Sequence, residues 1–192
     1  ELTEVDLVGI DMPIGLPVQT NKGGRTAERM ARKHLPGRAS SIFSTPCRSC
    51  LSAKNYQDAL AISRASGPDK LGLSKQSYNI LPKINSLDDL LQKNQHLRSK
   101  IYECHPELAF TVMSPSMAFE TKHSTNGRAQ RLMSLESLQV IPEQWLKKYP
   151  IIDQLDALAC LWSAHRILSG TAMMVPNPPP SDETGLRMAI SW

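Results

Sequence analysis

Val5-Asp6-Leu7-Val8-Gly9-Ile10-Asp11, followed by Met12-Pro13-Ile14-Gly15-Leu16-Pro17, is a short apolar run that ends in an acid and gives way to Pro and Gly. Its length, its β-branched content and the Pro/Gly stop predict a buried strand leading into a loop. An acid at the C-terminal end of such a strand lies where open α/β sheets bind ligands. Ile101-Tyr102-Glu103-Cys104 reads as a second buried strand, ending in His105-Pro106-Glu107. Ile151 to Ser169 is the clearest helix: it has no internal Gly or Pro, and Gly170 closes it. The order strand, helices, strand, helix argues for an α/β fold.

Between and beyond these anchors the spacing predicts helices over Thr26–Leu35, Asn55–Arg64, Ser74–Leu81 (stopped by Pro82) and Ser86–Lys100. In the last of these Ser86 is the expected N-cap, and Leu87, Leu90, Leu91 and Leu97 line one side. Further helices are expected over Arg128–Val140 and Pro142–Tyr149, then a Pro-rich connector over Val175–Ser181 and a final edge strand over Leu186–Trp192. The chain of 192 residues fits a single domain with a largely helical insertion over about residues 36–100. With 41% hydrophobic but only 5% aromatic residues, the core must rest on Leu, Ile, Val, Ala and Met.

A formal charge of +4 tolerates an anionic partner without requiring one. Arg25, Arg29 and Arg32 recur at spacings that share one helix face, which suits either a solvated surface or a stripe of phosphate contacts. No apolar stretch approaches the roughly 20 residues that span a bilayer. Cys47, Cys50, Cys104 and Cys160 are too sparse for a disulfide framework, so a reduced, cytoplasmic setting is expected. Cys47-Arg48-Ser49-Cys50 has the spacing of half a zinc site or of a redox pair, with Cys104-His105 the sole candidate for a second zinc half; unpaired thiols are the preferred reading.

The sharpest local pattern is Asp153-Gln154-Leu155-Asp156-Ala157. Three residues of helix turn through about 300° and rise about 4.5 Å, so the two carboxylates project within about 60° of one another. Ala157, Cys160 and Ala164 continue that stripe with small side chains, which lets another element approach closely. Acids desolvated in this way need a cation or a hydrogen-bond donor. Helix-dipole and capping preferences explain aspartates near a helix N-terminus equally well. With Asp11 at one strand end and Glu103 in another strand, however, the four acids can converge on a divalent metal, Mg²⁺ or Mn²⁺.

The chain resembles domain-of-unknown-function family 429, a group of predicted ribonuclease H-like nucleases. The matching stretches are Val8–Pro17, Arg38–Pro46, Leu73–Ile84, Tyr102–Phe110, Lys122 with Gly127, Arg128 and Arg131, and Asp153–Ala157, in the family's order and across nearly the whole chain. The Asp-x-x-Asp-Ala helix is also similar to the last catalytic helix of bacterial Holliday-junction resolvases. The resemblance implies a ribonuclease H-like mixed sheet flanked by helices. In it Asp11 takes the place of the acid on the fourth strand, and Asp153 and Asp156 take the two acids of the terminal helix. Glu103 or Glu107 supplies a further acid, Glu103 being preferred as nearer the strand. Such folds begin with a hairpin whose first strand carries a leading catalytic Asp. Nothing before Asp11 matches it, so the first strands are expected to be lacking from this chain.

The expected activity is a metal-dependent nuclease acting on nucleic-acid phosphodiesters, DNA and RNA being equally open, with Lys83, Lys122, Arg128 and Arg131 as phosphate contacts. The alternatives are a non-catalytic nucleic-acid-binding or scaffold module of the same fold, and a small-molecule phosphotransfer or nucleotide-hydrolysing enzyme. The absence of a Walker-type Gly-rich loop weighs against the last. His105, His123 and His165 form no base–nucleophile set with any Ser, which argues against a serine or cysteine hydrolase.

Overall fold

The computed structural model describes residues 6–136 and 149–192. In chain order its elements are β1 (Val8–Ile10), α1 (Thr26–Ala31), α2 (Tyr56–Ala65), α3 (Lys75–Asn79), α4 (Leu81–Lys93), β2 (Ile101–Glu103), α5 (Pro106–Met113), α6 (Thr125–Leu135), α7 (Ile151–Leu168), β3 (Met174–Val175) and β4 (Ile190–Ser191). A 3-10 helix, Arg48–Ser52, lies between α1 and α2. The architecture is α/β, as expected. Among the described residues no helix is long and apolar enough to cross a membrane.

β1 and β2 are parallel, with Ile10 opposite Glu103, and β3 and β4 are antiparallel. A parallel bridge between Cys104 and Ser191 joins the two pairs in the order β1-β2-β4-β3, a mixed arrangement. The final strand is therefore interior rather than at an edge, and Trp192 beside it is fully buried. It packs with Ala27, Ala31, Leu35 and Leu108.

Strand pleating sends alternate side chains to opposite faces. Val8, Ile10 and Ile101 join Leu87, Leu91 and Leu97 of the insertion in one apolar cluster. Gly9 faces the other way, toward α7. A Cβ built on it would lie 2.4 Å from the backbone oxygen of Cys160 and 3.0 Å from Cys104 Sγ. A glycine in β1 is thus what lets α7 lie directly on the strand. On the helix side Cys160 and Ala164 are buried as the small-residue stripe predicts, whereas Ala157 is exposed. The face of α7 away from β1 packs against α5, with Leu155, Leu158 and Ala159 meeting Ala109, Phe110 and Leu135. Each such fully buried Leu contributes roughly 1.5–3 kcal/mol.

Several local expectations change. Pro82 does not stop a helix but begins one: it occupies the first turn of α4, where a missing N–H has no intrahelical acceptor to lose. Ser86 is consequently inside α4, its hydroxyl donating back to Pro82 O at 2.9 Å. The caps that do form are Asn55, Ser74 and Ser124, each accepting from a backbone N–H three residues on. The sequence reading also assigns no helix to Pro106–Met113, where α5 starts on a proline directly after the second strand. The helix expected over Pro142–Tyr149 and the end of the one expected over Arg128–Val140 lie largely outside the described residues.

Arg25, Arg29 and Arg32 do not form one uniform face: Arg25 is buried, Arg32 partly buried and Arg29 exposed. Arg29 donates to Gly24 O, and Arg32 donates to Ile42 O and Gly23 O. The buried Arg25 donates to Ile14 O and Gly15 O as well as to two glutamates. All three guanidiniums hold loops by their carbonyls.

Candidate functional site

A cavity of about 530 Å³ opens at the C-terminal end of β1. Asp11, Arg38, His105, Glu107, Lys122 and Arg131 are among the residues lining it. Asp11 directly follows β1, and α7 brings Asp156 within electrostatic range of it. Asp156 is half-buried. Lys122 Nζ donates to its Oδ2 at 2.7 Å, while its Oδ1 is buried and has no hydrogen-bond partner. Although Asp11 is exposed to solvent, partial desolvation, followed by the neighbouring Asp156 charge, raises its carboxyl; Lys122 opposes this and Glu107 adds to it. Burial also raises Asp156, against the pull of Lys122. The two acids disfavour one another's ionised form, and one of them keeps an unmatched oxygen.

Two further groups frame the pair. Glu107, in the first turn of α5, accepts from Arg131 Nε at 2.9 Å and Arg131 NH2 at 2.8 Å, and also from Arg38. Both guanidiniums lie over the Phe119 ring. His105 Nε2 is 3.3 Å from Ser41 O, and because a carbonyl only accepts, that nitrogen carries the ring proton. Burial holds the His105 pKa down to about 4, so the ring is neutral near pH 7. Its Nδ1, buried and without a partner, presents a lone pair.

Of the four acids singled out in the sequence, the structure brings together Asp11 and Asp156. Glu103 borders a small pocket with Asp11 but is committed to other partners: its Oε1 accepts from Arg25 at 2.6 Å and its Oε2 from Ile14 N at 2.7 Å. Pleating explains the separation, because Glu103 is opposite Ile10 and shares its face, whereas Asp11 follows Ile10 and points to the α7 side. Asp153 is exposed, as are Ala157 and Leu161. It shares the angular position of Cys160 but lies seven residues, about 10.5 Å, before it along the axis, in the first turn of α7. Of the two glutamates considered for the family's extra acid, Glu107 is the one whose charge reaches both Asp11 and Asp156.

Among the expected phosphate contacts, Lys122 lines the cavity, partly exposed. Arg131 also reaches the cavity wall but is committed to Glu107, Glu120 O and Gly127 O. Arg128 turns back onto His123 O and Thr125 Oγ1, and Lys83 is exposed on α4. Sequence reasoning missed the neutral His105. Its only signal was a place at a strand end matching that of Asp11.

Among the described residues, no three His, Cys, Asp or Glu side chains gather in a way that would by itself hold a metal ion. The Asp11–Asp156 pair nonetheless suits one hard divalent ion. Mg²⁺ is commonly held by one or two carboxylates, with water and substrate phosphate completing its shell. The unpartnered Asp156 Oδ1 is an oxygen such an ion would satisfy.

Residues 1–181 match a protein family described as one of unknown function, DUF429. The chain belongs to the DUF429 family. No curated protein and no solved structure matches this DUF429 chain significantly, so the chemistry of its site must be argued from the residues themselves.

Proposed function

We propose that this DUF429 protein is a metal-dependent nuclease of the ribonuclease H-like type, with Asp11 and Asp156 as its metal-holding carboxylates. One observation carries the reading: Asp11 lines the cavity, Asp156 lies within electrostatic range of it and is tied to the cavity wall through Lys122, and one Asp156 oxygen is buried with no partner. A divalent ion, Mg²⁺ or Mn²⁺, would supply charge neutralisation and a more acidic bound water.

The chain's own residues then have separable tasks. Asp11 and Asp156 orient the cation. Lys122, on the cavity wall beside Asp156, is placed to hold a phosphate oxygen and to keep Asp156 ionised. His105, its ring fixed by Ser41 O and its Nδ1 buried, forms an uncharged part of the cavity wall. Arg38 and Arg131 hold Glu107 and so fix the α5 side of the wall. A second reading, nucleic-acid binding without cleavage, draws on the ion pair between Lys122 and Asp156, since an amine already compensates half of that carboxylate.

The test offers single-stranded, duplex, hybrid and branched nucleic acids to the protein with Mn²⁺ and compares Asp156→Asn. The nuclease reading expects cleavage that depends on the metal and falls at least 100-fold in the variant. Cleavage unchanged by Asp156→Asn removes the assignment, and binding that ignores divalent ions favours the second reading.

A further inference from the structure

Cys47 and Cys50 take no part in the cavity. Cys47 is the N-cap of the 3-10 helix Arg48–Ser52, and in such a helix residues three apart lie one above the other. The two sulfurs consequently stand 3.4 Å apart, both residues fully buried. Cys47 Sγ lies 3.3 Å from Ser49 Oγ, and Cys50 Sγ 3.7 Å from Ala59 O. Ala59, Leu73 and Leu81 close over the pair. Among the described residues no other His, Cys, Asp or Glu joins them to complete a metal site.

We propose that Cys47 and Cys50 form a reversible dithiol–disulfide pair, oxidised by a hydroperoxide. To join them the 3.4 Å separation has to close to the bonding distance of about 2.05 Å. The apolar lid selects an oxidant as small as hydrogen peroxide over a bulky disulfide.

The surroundings assign the roles. The Cys50 hydrogen bond, helped by hydroxyls of Ser49, Thr20 and Ser66, draws the Cys47 thiol down to about 4 against the effect of burial. Cys50, Cys104 and Cys160 are all pushed up. With the Ser49 hydroxyl 3.3 Å from its sulfur, Cys47 is assigned as the thiolate that attacks. Its sulfur takes one peroxide oxygen, the O–O bond breaks, and the other oxygen leaves with a proton as water. The sulfur of Cys50 then attacks the sulfenic sulfur, the S–O bond breaks, and the hydroxyl departs with the Cys50 proton as a second water. In sum two thiols and one hydrogen peroxide become one disulfide and two waters, the sulfur pair losing two electrons and the peroxide gaining them.

Arg48 links this pair to the site loop. Its backbone N–H donates to Pro17 O at 2.9 Å, and its guanidinium holds Asp88 and Asp182. Asp182 in turn accepts from Leu16 N at 2.9 Å, five residues beyond Asp11.

The experiment treats the reduced, native full chain with graded hydrogen peroxide, alkylates it in denaturant and maps it after tryptic digestion. Trypsin cuts after Arg48, so a disulfide leaves two fragments joined only through Cys47 and Cys50. The expected result is that joined species, two hydrogens lighter than the separate thiol fragments, with Cys104 and Cys160 still alkylated and dithiothreitol restoring both thiols. In Cys50→Ser, a sulfenic-acid trap should label Cys47 instead. The readout on the unmodified chain stands even if that variant fails to fold. Three outcomes overturn the proposal: equal alkylation of all four cysteines at every dose, oxidation of Cys47 to sulfinic acid with Cys50 still free, or zinc that copurifies and is lost in Cys47→Ser. None depends on whether the protein cleaves nucleic acid.

Discussion

Asp11 and Glu103 end adjacent parallel strands, one residue out of step, yet they occupy opposite kinds of surroundings. Desolvation raises both carboxyls, Glu103 being buried and Asp11 exposed, so the direction of the shift does not tell them apart. Hydrogen bonding does. Around Glu103 both oxygens have donors, and Glu28 beside it accepts from Arg25 and from Thr45 Oγ1. Around Asp11 the companion Asp156 keeps one oxygen buried and unmatched. A satisfied buried network holds a structure together, and an unsatisfied one points to a missing partner.

The strongest challenge to this contrast is Arg25→Met. It leaves Glu28 and Glu103 buried without their shared cation and should cost about 3–5 kcal/mol of stability by urea unfolding. A loss below about 1 kcal/mol would mean the network is not the structural half of the comparison. Next is Gly9→Ala, whose new methyl meets the α7 backbone at Cys160 O. Overpacking of this kind costs about 1–3 kcal/mol. The shift of α7 should also separate Asp156 from Asp11 and weaken any stabilisation by Mn²⁺.

Asp11→Asn should act in the opposite sense. Because folding raises this acid to about 7, the unfolded chain releases the proton near pH 4 while the folded chain keeps it until about pH 7. Its contribution to stability therefore declines as pH rises through that window. Removing the charge should stabilise the metal-free protein at pH 8 by about 1 kcal/mol after solvent screening, or about 2–4 °C in Tm, and should flatten the pH slope. A Tm that falls on substitution would deny the repulsion between Asp11 and Asp156. The smallest effect belongs to Asp153→Asn, an exposed change expected to stay within about 0.5 kcal/mol and to leave Mn²⁺ stabilisation intact. A large effect there would put Asp153 back beside Asp156.

These contrasts mark how far the sequence could be read. The strand before Asp11, the strand at Ile101 and the helix from Ile151 are visible because apolar periodicity and Gly/Pro punctuation are local properties. So was the convergence of Asp11 with Asp156, since each position follows from a strand end and a helix stripe. Glu103 was legible as a strand acid but not as a partner of Arg25, because that depends on which face a parallel register turns it to. Asp153 and Asp156 looked equivalent in sequence because the pattern does not say how far along the helix the strand contact at Gly9 and Cys160 lies. Pro82 misled because proline stops one helix and starts another with the same signature.

The carboxylate of Asp182 accepts from Leu16 N across a separation of 166 residues. During synthesis that anchor can close only after 166 further residues have been added, later than the contacts of the same segment with Arg25, Arg48 and β2.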